Sequence, residues 1–169
     1  MKKIGIFYGS TTGNTAKIAR RIGNLLSVPD NDIHDIANVG PASVGEYDVL
    51  LLGTSTWGSG ELQSDWFDFA DGMQALALQG KTIALFGTGN EKMKNTFCGG
   101  IEKLYDKIKD CGATFIGEFN ADGYTFVKSA SYNPETGMMR GLVIDDGNKP
   151  QLTQKRLQSW TDKIKSLIP

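Results

Sequence analysis

Three short runs, IGIFY (4 to 8), VLLLG (49 to 53) and TIALFG (82 to 87), are apolar throughout and lack the alternation of a half-exposed strand. Runs of that length predict strands buried on both faces, the arrangement of a parallel sheet with helices on either side. Helical spacing appears between them. Ile18, Ile22, Leu25 and Leu26 follow the first run, and Leu62, Trp66, Phe69 and Met73 the second. Phe97, Ile101, Leu104, Ile108 and Cys111 follow the third, and Leu157, Trp160, Ile164 and Leu167 mark a last helix. A weaker strand at DIHDI (32 to 36) and a fifth at TFIGEF (114 to 119) complete the alternation. The pattern predicts one doubly wound α/β domain spanning residues 1 to 169. Residues 120 to 140 have turn residues and aromatics but no period. GLVID (141 to 145) then reads as a continued strand, so the stretch is an insertion splitting the fifth strand.

Composition narrows the function classes. The opening MKKIGIFYGS has too short an apolar stretch for a signal peptide, and no other segment approaches a membrane span. Cys98 and Cys111, the only cysteines, flank one expected helix and lie too far apart along it for a disulfide. Free thiols predict a soluble, cytoplasmic protein. A single histidine, His34, leaves no histidine-based metal site or triad. Net charge is −1, but no Lys or Arg lies between Ile22 and Gly80, a stretch holding nine acids. The remainder carries 18 basic and 10 acidic residues, or +8. An acidic middle suits a basic protein partner better than nucleic acid or an anionic membrane.

Three Gly-rich or hydroxyl-rich loops follow strands one, three and four: GSTTGNT (9 to 15), TSTWGSGE (54 to 61) and GTGNEKMKNTF (87 to 97). In a doubly wound sheet such loops converge at the carboxyl ends of the strands and line one site. The first is no triphosphate P-loop, because only three residues separate Gly9 from Gly13 and Asn14 follows where Lys is required. It also lacks the G-x-G-x-x-G order of a dinucleotide site. What remains is a monophosphate held by hydroxyls and N–H groups at a helix start, the alternative being an ordinary capped helix with no ligand. Trp57, among glycine and serine, has no local apolar neighbours and is placed to stack on a flat ligand or to cap the core from a loop.

These residues carry a resemblance. Through IGIFYGSTTGNT, TWGSGELQSDW, FGTGN, ADGYTF and GLVIDDGN the chain resembles the flavodoxins, of the long-chain kind, over nearly its whole length. The resemblance implies a five-stranded parallel sheet in the order 2-1-3-4-5, non-covalently bound FMN, and low-potential one-electron transfer between a reductase donor and an acceptor enzyme. It implies that Ser10, Thr11, Thr12, Gly13, Asn14 and Thr15 hold the FMN phosphate. Ser55, Thr56, Trp57, Gly58, Ser59 and Gly60 would lie along one side of the ring, with Trp57 stacked on it. Thr88, Gly89 and Asn90 would bond the pyrimidine edge through backbone N–H groups, and Met93, Phe97 and Cys98 complete the set.

Departures from the family pattern affect the chemistry. No tyrosine covers the outer flavin face; Met93 or Lys94 stands there, Met93 being favoured. Asn90 is neutral where relatives usually carry Asp, and Lys92 and Lys94 add positive charge. Gly147 replaces an acid near the ribityl chain. Glu61, Asp65 and Asp68, at spacings of four and three, are expected on one helix face as the docking surface of a monomeric carrier, extended by Asp145 and Asp146. The alternative function is an FMN-dependent NAD(P)H:quinone-type reductase on the same fold. A phosphate-accepting receiver domain is excluded because Tyr8-Gly9 and Gly53-Thr54 stand where it needs acids.

Overall fold

A computed structural model describes residues 1 to 169. Ten strands and four α-helices follow in chain order: β1 (Ile4–Gly9), α1 (Asn14–Leu26), β2 (Ile33–Asp35), β3 (Val49–Trp57), β4 (Glu61–Leu62), α2 (Trp66–Gln74), β5 (Thr82–Thr88), α3 (Gly99–Ile108), β6 (Thr114–Ile116), β7 (Phe119–Asn120), β8 (Tyr132–Asn133), β9 (Met138–Met139), β10 (Leu142–Ile144) and α4 (Pro150–Leu167). The main sheet is parallel in the order β2-β1-β3-β5, with β6 and β10 both on the free edge of β5. Counting β6 and β10 as one interrupted strand, this is the expected doubly wound order. No helix is long and apolar enough to cross a membrane.

Both faces of the sheet are buried, which explains the unbroken apolar runs. Leu50 and Leu52 of β3 point into a core of 22 buried residues with Trp66, Phe69, Ile101 and Leu104 of α2 and α3. Val49 and Leu51 point the other way, into 16 buried residues with Ile18, Ile22, Trp160 and Ile164 of α1 and α4.

The fifth strand is split as predicted, but it breaks after Ile116, earlier than expected, and Phe119 belongs to β7 of the insertion. β6 pairs with Thr82–Ala84 and β10 with Phe86–Thr88, so the chain leaves the sheet opposite Leu85. Glycines stand at both ends of the break. Gly117 has φ +87°, and a Cβ on Gly141 would lie 2.0 Å from the Leu85 carbonyl oxygen. The insertion folds into a small antiparallel sheet, β7-β9-β8, whose two-residue strands are too short to leave a period in the sequence.

Three expected boundaries differ. Leu62 belongs to β4, not α2, because positive φ at Gly58 and Gly60 turns the chain back on β3, pairing Thr56 with Leu62. Its helical distance from Trp66 reflects burial in the same core. Phe97 precedes α3, since Cys98 adopts φ +49° and the helix starts at Gly99; Cys111 lies beyond its end. The strand expected over 32 to 36 is limited to β2, because Asp30–Asp32 form a 3-10 turn.

Candidate cofactor-binding site

In register, Gly9 of β1 lies beside Thr54 of β3, and Ser55 beside Thr88 of β5, so the three following loops emerge together. They meet in a cleft of about 180 Å³ lined by Thr12 and Asn14, by Ser55, Thr56 and Trp57, and by Thr88, Gly89 and Asn90. A second cleft of about 320 Å³ shares Asn14, Thr88, Gly89 and Asn90 and runs past Lys17 to Asp145, Asp146, Gly147 and Asn148.

The first loop ends in a bare helix start. Gly13, at φ +91°, turns the chain into α1, and its N–H donates to Ser10 Oγ at 3.1 Å. The N–H groups of Thr12, Asn14 and Thr15 find no acceptor in the chain, and no acid occupies the first turn of α1. Convergent free donors at the positive end of a helix dipole suit an anion. Side chains brace this loop against the other two. Thr15 Oγ1 lies 2.9 Å from Thr88 Oγ1, and Gln63 Nε2 is 3.4 Å from Thr11 Oγ1. Behind the loop, buried Trp66 donates to the Gly53 carbonyl at 2.9 Å, and a Cβ on Gly9 would come within 2.8 Å of its indole.

In the second loop Trp57 is 41% exposed at the mouth of the cleft, its Nε1–H directed to Ser55 Oγ at 2.8 Å. Gly60 N–H donates to the Trp57 carbonyl, closing a tight turn through Gly58, at φ +48°, and exposed Ser59. The start of α3 packs against this loop. Gly100 N–H donates to Thr56 Oγ1 at 3.3 Å, and a Cβ on Gly100 would be 2.8 Å from the Ser55 carbonyl oxygen.

The third loop divides its groups between structure and cleft. Gly89 N–H is taken by the Ile144 carbonyl at 3.0 Å, whereas Asn90 N–H has no acceptor in the chain. Met93 is 51% exposed beyond them. Phe97 and Cys98 are buried below the loop and do not line the cleft; a Cβ on Gly89 would touch Cys98 Sγ at 2.5 Å. Burial, reinforced by Asp145 and Glu91, pushes the Cys98 thiol well above its ordinary range.

Several polar placements were not legible beforehand. Asp145, only 3% exposed, accepts the N–H groups of Glu91 (2.8 Å) and Asn148 (2.9 Å). Glu91, equally buried, accepts the Thr125 N–H at 3.2 Å and so ties the insertion to this loop. Asp146 pairs with Lys17 at 3.2 Å and Arg21 at 3.8 Å. The expected extension of the acidic surface through Asp145 and Asp146 is therefore corrected: one is interior and the other is neutralised by α1. Nor do Glu61, Asp65 and Asp68 share a helix. Glu61 sits in β4 and pairs with Lys103 at 2.7 Å, Asp65 precedes α2 and accepts from Gln63, and only Asp68 is within the helix.

The arrangement can hold an anion at the start of α1 and a flat ring beside Trp57. The family model described as flavodoxin matches residues 6–160. A flavodoxin of Buchnera aphidicola subsp. Baizongia pistaciae is 39% identical over 168 residues, covering 98% of this chain and 96% of that protein. Flavodoxin 1 of Escherichia coli K12 is 39% identical over 161 residues, covering 95% and 91%. The crystal structure of Fusobacterium nucleatum flavodoxin bound to flavin mononucleotide is similar at a TM-score of 0.90 and 31% identity, with the whole of both chains covered. Family match, near-complete relatives and the converging loops lead to one conclusion: the chain belongs to the flavodoxin family.

Proposed function

We propose that this protein is a single-domain, long-chain flavodoxin that binds FMN non-covalently and carries single electrons between redox proteins. One observation supports this above all: three sequence-distant loops form a single cleft with unpartnered N–H groups at one end and an exposed indole at the other. The donor chemistry fits the cofactor, because neutral hydroxyls and N–H groups can hold a phosphate dianion and Trp57 offers a ring face. Bound FMN supplies the one-electron chemistry; the chain holds it, shields it and sets the charge around it. The 9 to 15 loop holds the phosphate, 55 to 60 flanks the ring, and Asn90 N–H faces the pyrimidine edge. Gly89 acts indirectly, fastening the loop to Ile144. Met93 covers the outer face, while Phe97 and Cys98 support the loop from beneath.

The carrier works as a cytoplasmic monomer, in keeping with two unpaired cysteines. It catalyses no substrate reaction of its own, in keeping with the short turn from Trp57 directly into β4. A donor and an acceptor dock on the exposed carboxylates of Asp65 and Asp68 with Glu61 at the margin. A visible spectrum during stepwise reduction of FMN-loaded protein tests the carrier reading. Steady NADPH consumption with a quinone and no added reductase would instead establish the reductase.

Charge near Asn90 sets the more reducing couple. Asn90→Asp is expected to lower it by about 20–70 mV, since one charge about 10 Å away at an effective dielectric of about 20–80 is worth roughly 0.4–1.7 kcal/mol. Potentiometric titration with low-potential dyes checks this; an unchanged or raised couple refutes it. Gly58 governs the other couple through backbone freedom, because its φ of +48° is left-handed while the nearest atom to an added Cβ is 3.9 Å away. Gly58→Val is expected to reduce the one-electron-reduced flavin that accumulates during photoreduction by severalfold, at a cost of about 1–2 kcal/mol in stability from the left-handed backbone. Equal accumulation in both proteins would remove that role.

A further inference from the structure

Resting on the carrier reading, we infer that the insertion-side rim of the cleft is a second docking surface, for a redox protein that presents carboxylates around its own cofactor edge. The rim begins at Asn90, which lines the cleft, and continues through Lys92, Met93 and Lys94. Met93 N–H donates to the Asn90 carbonyl at 2.9 Å, and Lys92 N–H to Asn90 Oδ1 at 2.9 Å, holding this segment against the cleft wall. The insertion is fastened to the same segment, because the N–H groups of Val127 and Lys128 both donate to the Lys94 carbonyl at 2.7 Å. Lys128 is thereby fixed beside Lys94. Two apolar side chains stand open in this patch, Met93 and Val127, the latter 73% exposed.

The charge pattern selects the partner. Lys92, Lys94 and Lys128 are all exposed, and none joins an ion pair. The nearest acid in sequence, Glu91, is buried beneath the rim, its Oε1 accepting the Thr125 N–H while Oε2 has no partner, and it forms no ion pair with these lysines. On the Trp57 side the expected acidic surface is depleted, since Lys103 pairs with Glu61 at 2.7 Å. The rim is therefore dipolar: Asp65 and Asp68 remain on one side, with three free ammonium groups around an apolar centre on the other. Opposite charge steers encounter, and exposed apolar side chains at the centre make the contact. A carrier that meets partners of both signs can present a different side to each.

Two haem proteins of opposite charge serve as probes: ferric cytochrome b5, which is acidic, and ferric cytochrome c, which is basic. FMN-loaded protein is reduced, mixed with either in stopped flow, and ferrous haem is followed; one electron leaves the flavin and reduces one ferric haem. Lys92→Glu/Lys94→Glu/Lys128→Glu is expected to lower the second-order rate with cytochrome b5 about tenfold or more at about 10 mM salt, with the difference closing above about 0.5 M salt. The rate with cytochrome c should hold or rise. Lys94→Gln alone should give a smaller loss of the same sign. Equal cytochrome b5 rates in parent and triple variant would overturn the proposal, as would parallel losses with both haem proteins, which would mean that the lysines act on the flavin rather than the encounter. Protein that binds no FMN, or cannot be reduced, would instead overturn the carrier reading.

Discussion

Trp66→Ala is expected to lower the unfolding free energy by about 3–5 kcal/mol, the cost of emptying a large, fully buried aromatic site. Trp66 touches Phe69 edge to face at 5.4 Å between centroids and shares the larger core with α2 and α3. It also bonds the Gly53 carbonyl and backs Gly9 at the root of the 9 to 15 loop, so the cavity would open directly beneath the proposed phosphate site. FMN affinity should fall together with stability. Trp66→Phe, which keeps a ring but loses the bond, should cost less; the bond itself is worth about 1 kcal/mol. Urea unfolding of the cofactor-free proteins measures this without the contribution of ligand binding. A loss below about 1 kcal/mol in the alanine variant would show that the site collapses and that Trp66 is dispensable for the loop.

Thr12→Asp is expected to weaken FMN binding about a thousandfold while leaving riboflavin binding nearly unchanged. Thr12 is exposed at the mouth of the first loop, so its replacement disturbs no packing. The new carboxylate would face the phosphate across the bare start of α1. Two unit charges about 4 Å apart at an effective dielectric of about 20 repel by about 4 kcal/mol, which is about three decades in affinity. Flavin fluorescence quenching on titration into the cofactor-free protein reads both ligands. Equal weakening of FMN and riboflavin would place Thr12 against the ring and not the phosphate. Unaltered FMN binding would move the phosphate away from α1 altogether.

Much of this architecture was legible in advance, for a local reason. A strand buried on both faces must be apolar along its length, and the residues of β1, β3 and β5 say so without reference to anything distant. The split of the fifth strand was readable because GLVID resumes the pattern after an aperiodic stretch. Leu62 misled because burial in one core, not helical continuity, produced its spacing from Trp66. The insertion sheet was invisible because strands of two residues have no period to detect.

The site followed the same division. Its three loops were identifiable from glycine and hydroxyl content at the ends of predicted strands, and parallel topology requires such loops to converge. Which of their donors remain free was not identifiable. Gly89 and Asn90 are adjacent and similar in sequence terms, yet Ile144 takes the N–H of one and leaves the other open.

By itself, then, the sequence determined the layers and the loops at the end of the sheet where a phosphate and a flat ring can be held, because each depends on residue types within a few positions of one another; the strand order came only with the family resemblance. Only the tertiary structure decided the charges around that site. It buried Asp145 against Glu91, set Lys103 on Glu61, and brought Lys128 beside Lys94. Those pairings join residues tens of positions apart, and a charge reveals its solvation and its partner only when the fold has brought both to one place.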